Sequence, residues 1–214
     1  MNTDEVRIRF PSGDVELDGR LALPETCTRA CVVCHPHPLY GGDMSNPVVV
    51  AVTRAMAGAG IATLRFDFRG VGESGGSHGG GAPEVEDARA AVDALRQATS
   101  LTNVAIAGYS FGSVIALRLA AENAAAAAKV AAVAAIAPPL VMFDAAGLAA
   151  GLRIPLLVMA GDRDTYCPRP DFESLRERLP ASAEAVVVPG ADHFFSGREA
   201  DVAAAVLGWI QRIT

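Results

Sequence analysis

The chain has 214 residues, 51% hydrophobic and 20% charged, and 24 acidic against 18 basic side chains leave a net charge of −6. That balance excludes a disordered polyelectrolyte, and the acidic excess argues against nucleic acid or an anionic membrane as the main partner. The length suits one domain, 1–214, with enough chain to bury a sizeable core.

Two runs near the start, Val6 to Phe10 and Val15 to Leu23, alternate about Pro11-Ser12-Gly13-Asp14 and predict an antiparallel hairpin. Continuous apolar runs follow at Ala30 to Cys34, Ile61 to Phe66, Val104 to Ala107, Val130 to Ile136, Ile154 to Ala160 and Ala185 to Val188, as strands covered on both faces require. Amphipathic stretches between them predict helices over Pro47 to Ala59, Pro83 to Ala98, Phe111 to Asn123, Pro170 to Leu179 and Arg198 to Arg212. Pro47, Pro83 and Pro170 sit where a first helical turn tolerates proline. The pattern predicts an α/β fold: a mostly parallel eight-stranded sheet with helices on both faces.

The stretch Val130 to Phe143 is too short to span a bilayer and contains Pro138-Pro139. The amino terminus lacks the basic start and apolar run of a secretory leader, so a cytoplasmic location is expected. Cys27, Cys31 and Cys34 have the C-x3-C-x2-C spacing of an iron–sulfur ligand set. Residues three apart on a strand point to opposite faces, however, so these thiols read as small buried hydrophobes and no metal is expected.

The most informative residues are Gly108-Tyr109-Ser110-Phe111-Gly112, entered by a strand and left by a helix. A serine on so sharp a turn has strained dihedrals, needs glycine on both sides, and holds its hydroxyl beside the free N–H groups of the new helix. A serine nucleophile needs a base and a carboxylate to orient that base. Loops after later strands carry both: Gly161-Asp162-Arg163-Asp164, then Asp192-His193-Phe194-Phe195.

With Ser110, Asp164 and His193 in that order, the chain resembles the α/β-hydrolase family over nearly its whole length. The resemblance implies Ser110 as nucleophile and His193 as base. The family's G-x-x-D motif on Gly161 to Asp164 favours Asp164 as the acid, with Asp144 and Asp162 as alternatives. The oxyanion hole is expected to use the Phe111 N–H and one from the loop Cys34-His35-Pro36-His37-Pro38-Leu39-Tyr40-Gly41-Gly42. Pro36 and Pro38 have no N–H, so His37 comes first and Leu39 and Tyr40 next. Where family members commonly carry His-Gly, this chain has His35-Pro36.

Asp67-Phe68-Arg69-Gly70-Val71-Gly72-Glu73-Ser74 resembles the family's D-x-R-G-x-G-x-S segment and reads as structural support. It also contains a nominal G-x-G-x-x-G, but no helix opens at once and the next strand ends in Ala107-Gly108, so no dinucleotide cofactor is expected. The interval Ala137 to Arg153 is too short for a lid domain. The resemblance is to compact lidless bacterial carboxylesterases and dienelactone-hydrolase-like enzymes. It implies cofactor-free cleavage of small soluble esters through an acyl-enzyme. The alternatives are a thioesterase or other acyl hydrolase on the same residues, or a non-hydrolytic receptor or cofactor-free oxidative protein of the same fold. Tyr40, Tyr109, Met142, Tyr166 and Phe194 are the expected substrate contacts, with Met44, Phe111, Val141 and Phe195 near the mouth; Arg69 and Arg163 are candidates for a substrate carboxylate.

Overall fold

The computed structural model describes residues 4–122 and 130–213. Its strands are β1 (Glu5–Ser12), β2 (Val15–Ala22), β3 (Ala30–Cys34), β4 (Ala62–Phe66), β5 (Val104–Tyr109), β6 (Val130–Ile136), β7 (Leu156–Gly161) and β8 (Ala183–Val188). The helices are α1 (Pro47–Gly58), α2 (Ala82–Thr99), α3 (Phe111–Glu122), α4 (Ala145–Gly151), α5 (Arg169–Arg178) and α6 (Glu199–Arg212). Asn123, the expected end of the third helix, lies outside the described residues.

All eight strands form one sheet in the order β1-β2-β4-β3-β5-β6-β7-β8. β1 and β2 pair antiparallel, β2 runs antiparallel to β4, and every pairing beyond is parallel. The hairpin turn is tighter than the sequence implied. Pro11 and Ser12 belong to β1, and only Gly13 and Asp14 connect Ser12 to Val15. Gly13 has φ +62°, the left-handed geometry a two-residue hairpin turn demands. Pro11 is tolerated because β1 is an edge strand, where a missing N–H leaves no neighbour unpaired.

Strand alternation divides the interior into two cores. Ala30, Val32 and Cys34 of β3, with Val104 and Ile106 of β5, pack under α2, α3, α4 and α5. Cys31 and Val33, with Ala105, Ala107 and Tyr109, pack under α1 and α6 on the other face. Cys31 and Cys34 are therefore buried on opposite faces, and burial pushes the Cys31 thiol up to about 12.

β3 leads into α1 on one face and β5 into α3 on the other. The chain thus departs in opposite directions from two adjacent strands, which opens a crevice at their carboxyl ends. Only residues 137–155 separate β6 from β7; they hold the short α4 and no lid domain. The sequence reading missed α4, an Ala- and Gly-rich helix capped by Asp144, and a 3₁₀ turn over Pro38–Tyr40. Among the described residues no helix is long and apolar enough to cross a membrane.

His35, at the end of β3, is wholly buried. Its Nδ1–H donates to the Pro36 carbonyl at 2.6 Å and its Nε2 accepts the Phe68 N–H at 3.0 Å. Burial is the main cause that lowers its pKa to about 4, against the Pro36 carbonyl, which raises it. The unfolded chain takes up this proton near pH 6.5, so below that value the unfolded state binds more protons than the folded one. The His35 contribution to stability is whole above about pH 6.5 and is lost as pH falls toward 4, by about 3 kcal/mol in total. Urea midpoints at pH 7 and 4.5 are expected to show this fall in the parent and a smaller one in His35→Gln.

Candidate active site

Ser110 is the turn between β5 and α3, at the edge of that crevice, with φ +54°, left-handed backbone that a non-glycine residue holds only under constraint. Its N–H donates to the Ile136 carbonyl at 2.8 Å, and the Ser113 N–H donates back to its carbonyl at 2.9 Å. The flanking glycines are sterically required. A Cβ at Gly108 would collide with the Gly112 carbonyl, and one at Gly112 with the carbonyls of Cys34 and His35.

The Ser110 Oγ lies 2.9 Å from His193 Nε2. His193 Nδ1 lies 2.8 Å from Asp164 Oδ2 and 3.0 Å from Oδ1. A carboxylate only accepts, so Nδ1 is the protonated nitrogen and Nε2 turns a lone pair toward the Ser110 hydroxyl. Asp164 is buried, and its Oδ1 also accepts the N–H groups of Tyr166 at 2.8 Å and Cys167 at 2.9 Å. The His193 loop is fastened from below by the Tyr109 hydroxyl, which donates to the His193 carbonyl at 2.8 Å.

The alternative carboxylates are engaged elsewhere. Asp144 Oδ1 caps α4 through the Gly147 N–H at 2.9 Å, and Asp162 Oδ1 accepts the Gly190 N–H at 2.7 Å. Of the three, Asp164 is the one that contacts His193.

Backbone accounting separates the expected oxyanion donors. The Leu39 N–H donates to His37 Nδ1 at 3.2 Å and the Tyr40 N–H to the His37 carbonyl at 3.1 Å, closing the 3₁₀ turn. Neither is free, which corrects the expectation for Leu39 and Tyr40. The N–H groups of His37 and Phe111 have no acceptor among the described residues, and both residues line the cavity over Ser110. The His37 ring is partly buried, and burial together with neighbouring His78 lowers its pKa.

That cavity measures about 490 Å³. Tyr40, Tyr109, Met142, Tyr166 and Phe194 line it as expected. The Tyr109 hydroxyl is nonetheless spent on His193, which leaves its ring as wall. Met44, Val141 and Phe195 are not in the lining, whereas Asn46, Pro139 and Phe143 are. Asn46 and Phe143 carried no sequence signal of a site role: Asn46 caps α1, and Phe143 precedes an element that was not foreseen. The mouth is apolar and open, with Tyr40 77% and Phe194 60% exposed.

The two arginines fall elsewhere. Arg69 donates from Nη2 to the buried Asp87 at 2.7 Å, Arg163 is exposed, and neither lines the cavity. The segment after β4 is structural support. The Asp67 carboxylate accepts the Met44 N–H at 2.8 Å, and the Ser74 hydroxyl bridges the Asp67 carbonyl at 2.7 Å and the Asp18 N–H at 2.9 Å. Its glycines do not open a helix, since α2 begins only at Ala82.

The family described as serine aminopeptidase, S33, matches residues 30–146, more than half of the chain. The uncharacterized protein RP471 of Rickettsia prowazekii (strain Madrid E) is 33% identical over 211 residues, covering 94% of this chain and 86% of that protein. The structure of XC6422 from Xanthomonas campestris, described as an α/β serine hydrolase without lid, is 30% identical with a TM-score of 0.85 and covers 99% of this chain and 96% of that one. The chain belongs to the α/β-hydrolase family. The fold of this α/β hydrolase extends to distant proteins. Esterase Pf2001 of Pyrococcus furiosus matches with a TM-score of 0.84 at 18% identity, over 99% of this chain and 93% of that one.

Proposed function

We propose that this α/β hydrolase is a serine esterase that cleaves small, uncharged carboxylic esters through an acyl-enzyme on Ser110. The observation that carries the reading is the continuous run of contacts from Ser110 Oγ to His193 Nε2, 2.9 Å, and from His193 Nδ1 to Asp164 Oδ2, 2.8 Å. Ser110 Oγ attacks the ester carbonyl as His193 Nε2 takes the hydroxyl proton, and Asp164 steadies the imidazolium. The Phe111 and His37 N–H groups receive the oxyanion. His193 then protonates the leaving alcohol, and water repeats the sequence to release the acid.

The cavity wall favours uncharged substrates. Among the described lining residues there is no Lys or Arg to meet a substrate carboxylate, and no Asp or Glu to pair with a peptide's ammonium. An aminopeptidase reading, which the family description invites, therefore lacks its anchor. A thioester fits the same residues equally well. The acidic net charge accords with a cytoplasmic enzyme that has neither nucleic acid nor membrane as partner.

A fluorophosphonate is expected to form a covalent adduct on Ser110, located by mass spectrometry of the peptide. An acyl-length series of oxygen esters and CoA thioesters is expected to show turnover of short neutral acyl groups. If the protein neither takes the label nor turns over any member of the series, the esterase reading fails and a non-hydrolytic role of the same fold replaces it.

A further inference from the structure

The Gly- and Ser-rich segment 70–81 takes no part in the proposed chemistry, yet α2 anchors it with buried carboxylates at both ends. Asp87 accepts the Arg69 N–H at 3.0 Å near its start. Glu84, fully buried, accepts the N–H groups of Gly79 at 2.7 Å and Gly81 at 2.6 Å at its finish. Glu84 Oε1 also lies 2.9 Å from His78 Nδ1, a close approach without hydrogen-bond geometry, so the ring is placed by its packing.

The His78 ring packs 4.9 Å from the His37 ring and 5.7 Å from that of Phe111, and those two rings are 4.7 Å apart. His37 and Phe111 are also the residues whose N–H groups are left without an acceptor over Ser110. One side chain from a distant loop therefore touches both residues that carry the free donors. His37 needs such support. The bonds of the 3₁₀ turn engage its carbonyl and Nδ1, while its flanks Pro36 and Pro38 contribute no N–H to hold the loop.

We propose that His78 is a positioning residue whose ring, packed against both side chains, holds the His37 and Phe111 backbone donors where an oxyanion forms. The inference rests on the esterase reading above and adds a residue that does not touch substrate. An oxyanion hole works by being preorganised, and a displaced donor loses transition-state stabilisation more than ground-state binding.

Two variants of comparable bulk separate the ring from its polar edge. His78→Gln keeps a polar group toward Glu84 but removes the ring; His78→Phe keeps the ring and loses the polar contact. With p-nitrophenyl acetate, His78→Gln is expected to lower kcat by about 10-fold with KM within about twofold. Its affinity for a boronic acid that forms a tetrahedral adduct on Ser110 is expected to fall by the same factor, and His78→Phe to restore both to within about threefold of the parent. If His78→Gln fails to fold, His78→Ala is read by the same measurements. The proposal is overturned by parent-level kcat without the ring, by a kcat loss that leaves boronate affinity untouched, or by His78→Phe no better than His78→Gln. Failure of the esterase reading shows separately, as absent labelling of Ser110 in the parent.

Discussion

Ser110→Ala is expected to lower kcat toward p-nitrophenyl acetate by about 10⁴-fold or more while leaving the melting temperature close to the parent's. The fold retains its shape because the hydroxyl's partner among the described residues is His193 Nε2, and the backbone bonds to Ile136 and from Ser113 do not involve the side chain. Alanine at φ +54° is no more strained than serine, since both carry one Cβ. What disappears is the atom that bonds to the acyl group. A thermal melt beside single-turnover kinetics checks both halves, and parent-rate hydrolysis by a folded Ser110→Ala would sink the assignment.

Asp164→Asn is expected to cost about 10⁴-fold in kcat, through the tautomer of His193 rather than through misplacement. Asp164 Oδ1 accepts the Tyr166 and Cys167 N–H groups, so an asparagine there must turn its carbonyl oxygen toward them. Its NH₂ group then faces His193 Nδ1, where two donors would meet. The imidazole escapes by carrying its proton on Nε2, and a protonated Nε2 cannot take the Ser110 proton. Activity of Asp164→Asn within tenfold of the parent would show that Asp164 does not orient the base. Asp144→Asn and Asp162→Asn serve as controls, expected to stay near parent kcat because those carboxylates cap α4 and hold the Gly190 turn.

What could be read from the chain follows the range of the forces involved. The strand–Ser110–helix turn was legible because β5 run, glycine, serine, glycine and α3 run are contiguous, and the steric need for small residues at 108 and 112 is local. The alternation that sends Cys31 and Cys34 to opposite faces is likewise a property of one strand. The tight Gly13-Asp14 turn was misjudged because Pro11 usually ends a strand, and only the edge position of β1 permits it to continue one. α4 was missed because an Ala- and Gly-rich run of seven residues has little periodicity to read.

The donors at the crevice were beyond local reading. Leu39 and Tyr40 were plausible until the 3₁₀ turn claimed their N–H groups, and Arg69 remained a candidate for substrate until the buried Asp87, distant in sequence, neutralised it. Asn46 and Phe143 enter the cavity wall from loops on separate strands, and His78 reaches His37 from a third.

By itself, then, the amino-acid order determined the alternation of strands and helices, the strained serine and the succession Ser110, Asp164, His193, because hydrophobic period, glycine sterics and loop position act over a few residues. Only the tertiary structure decided which carboxylate meets His193, which backbone N–H groups stay free and which side chains wall the cavity. Those depend on hydrogen bonds and contacts between loops far apart in the chain, where each donor has one acceptor and the packed sheet selects the pairing.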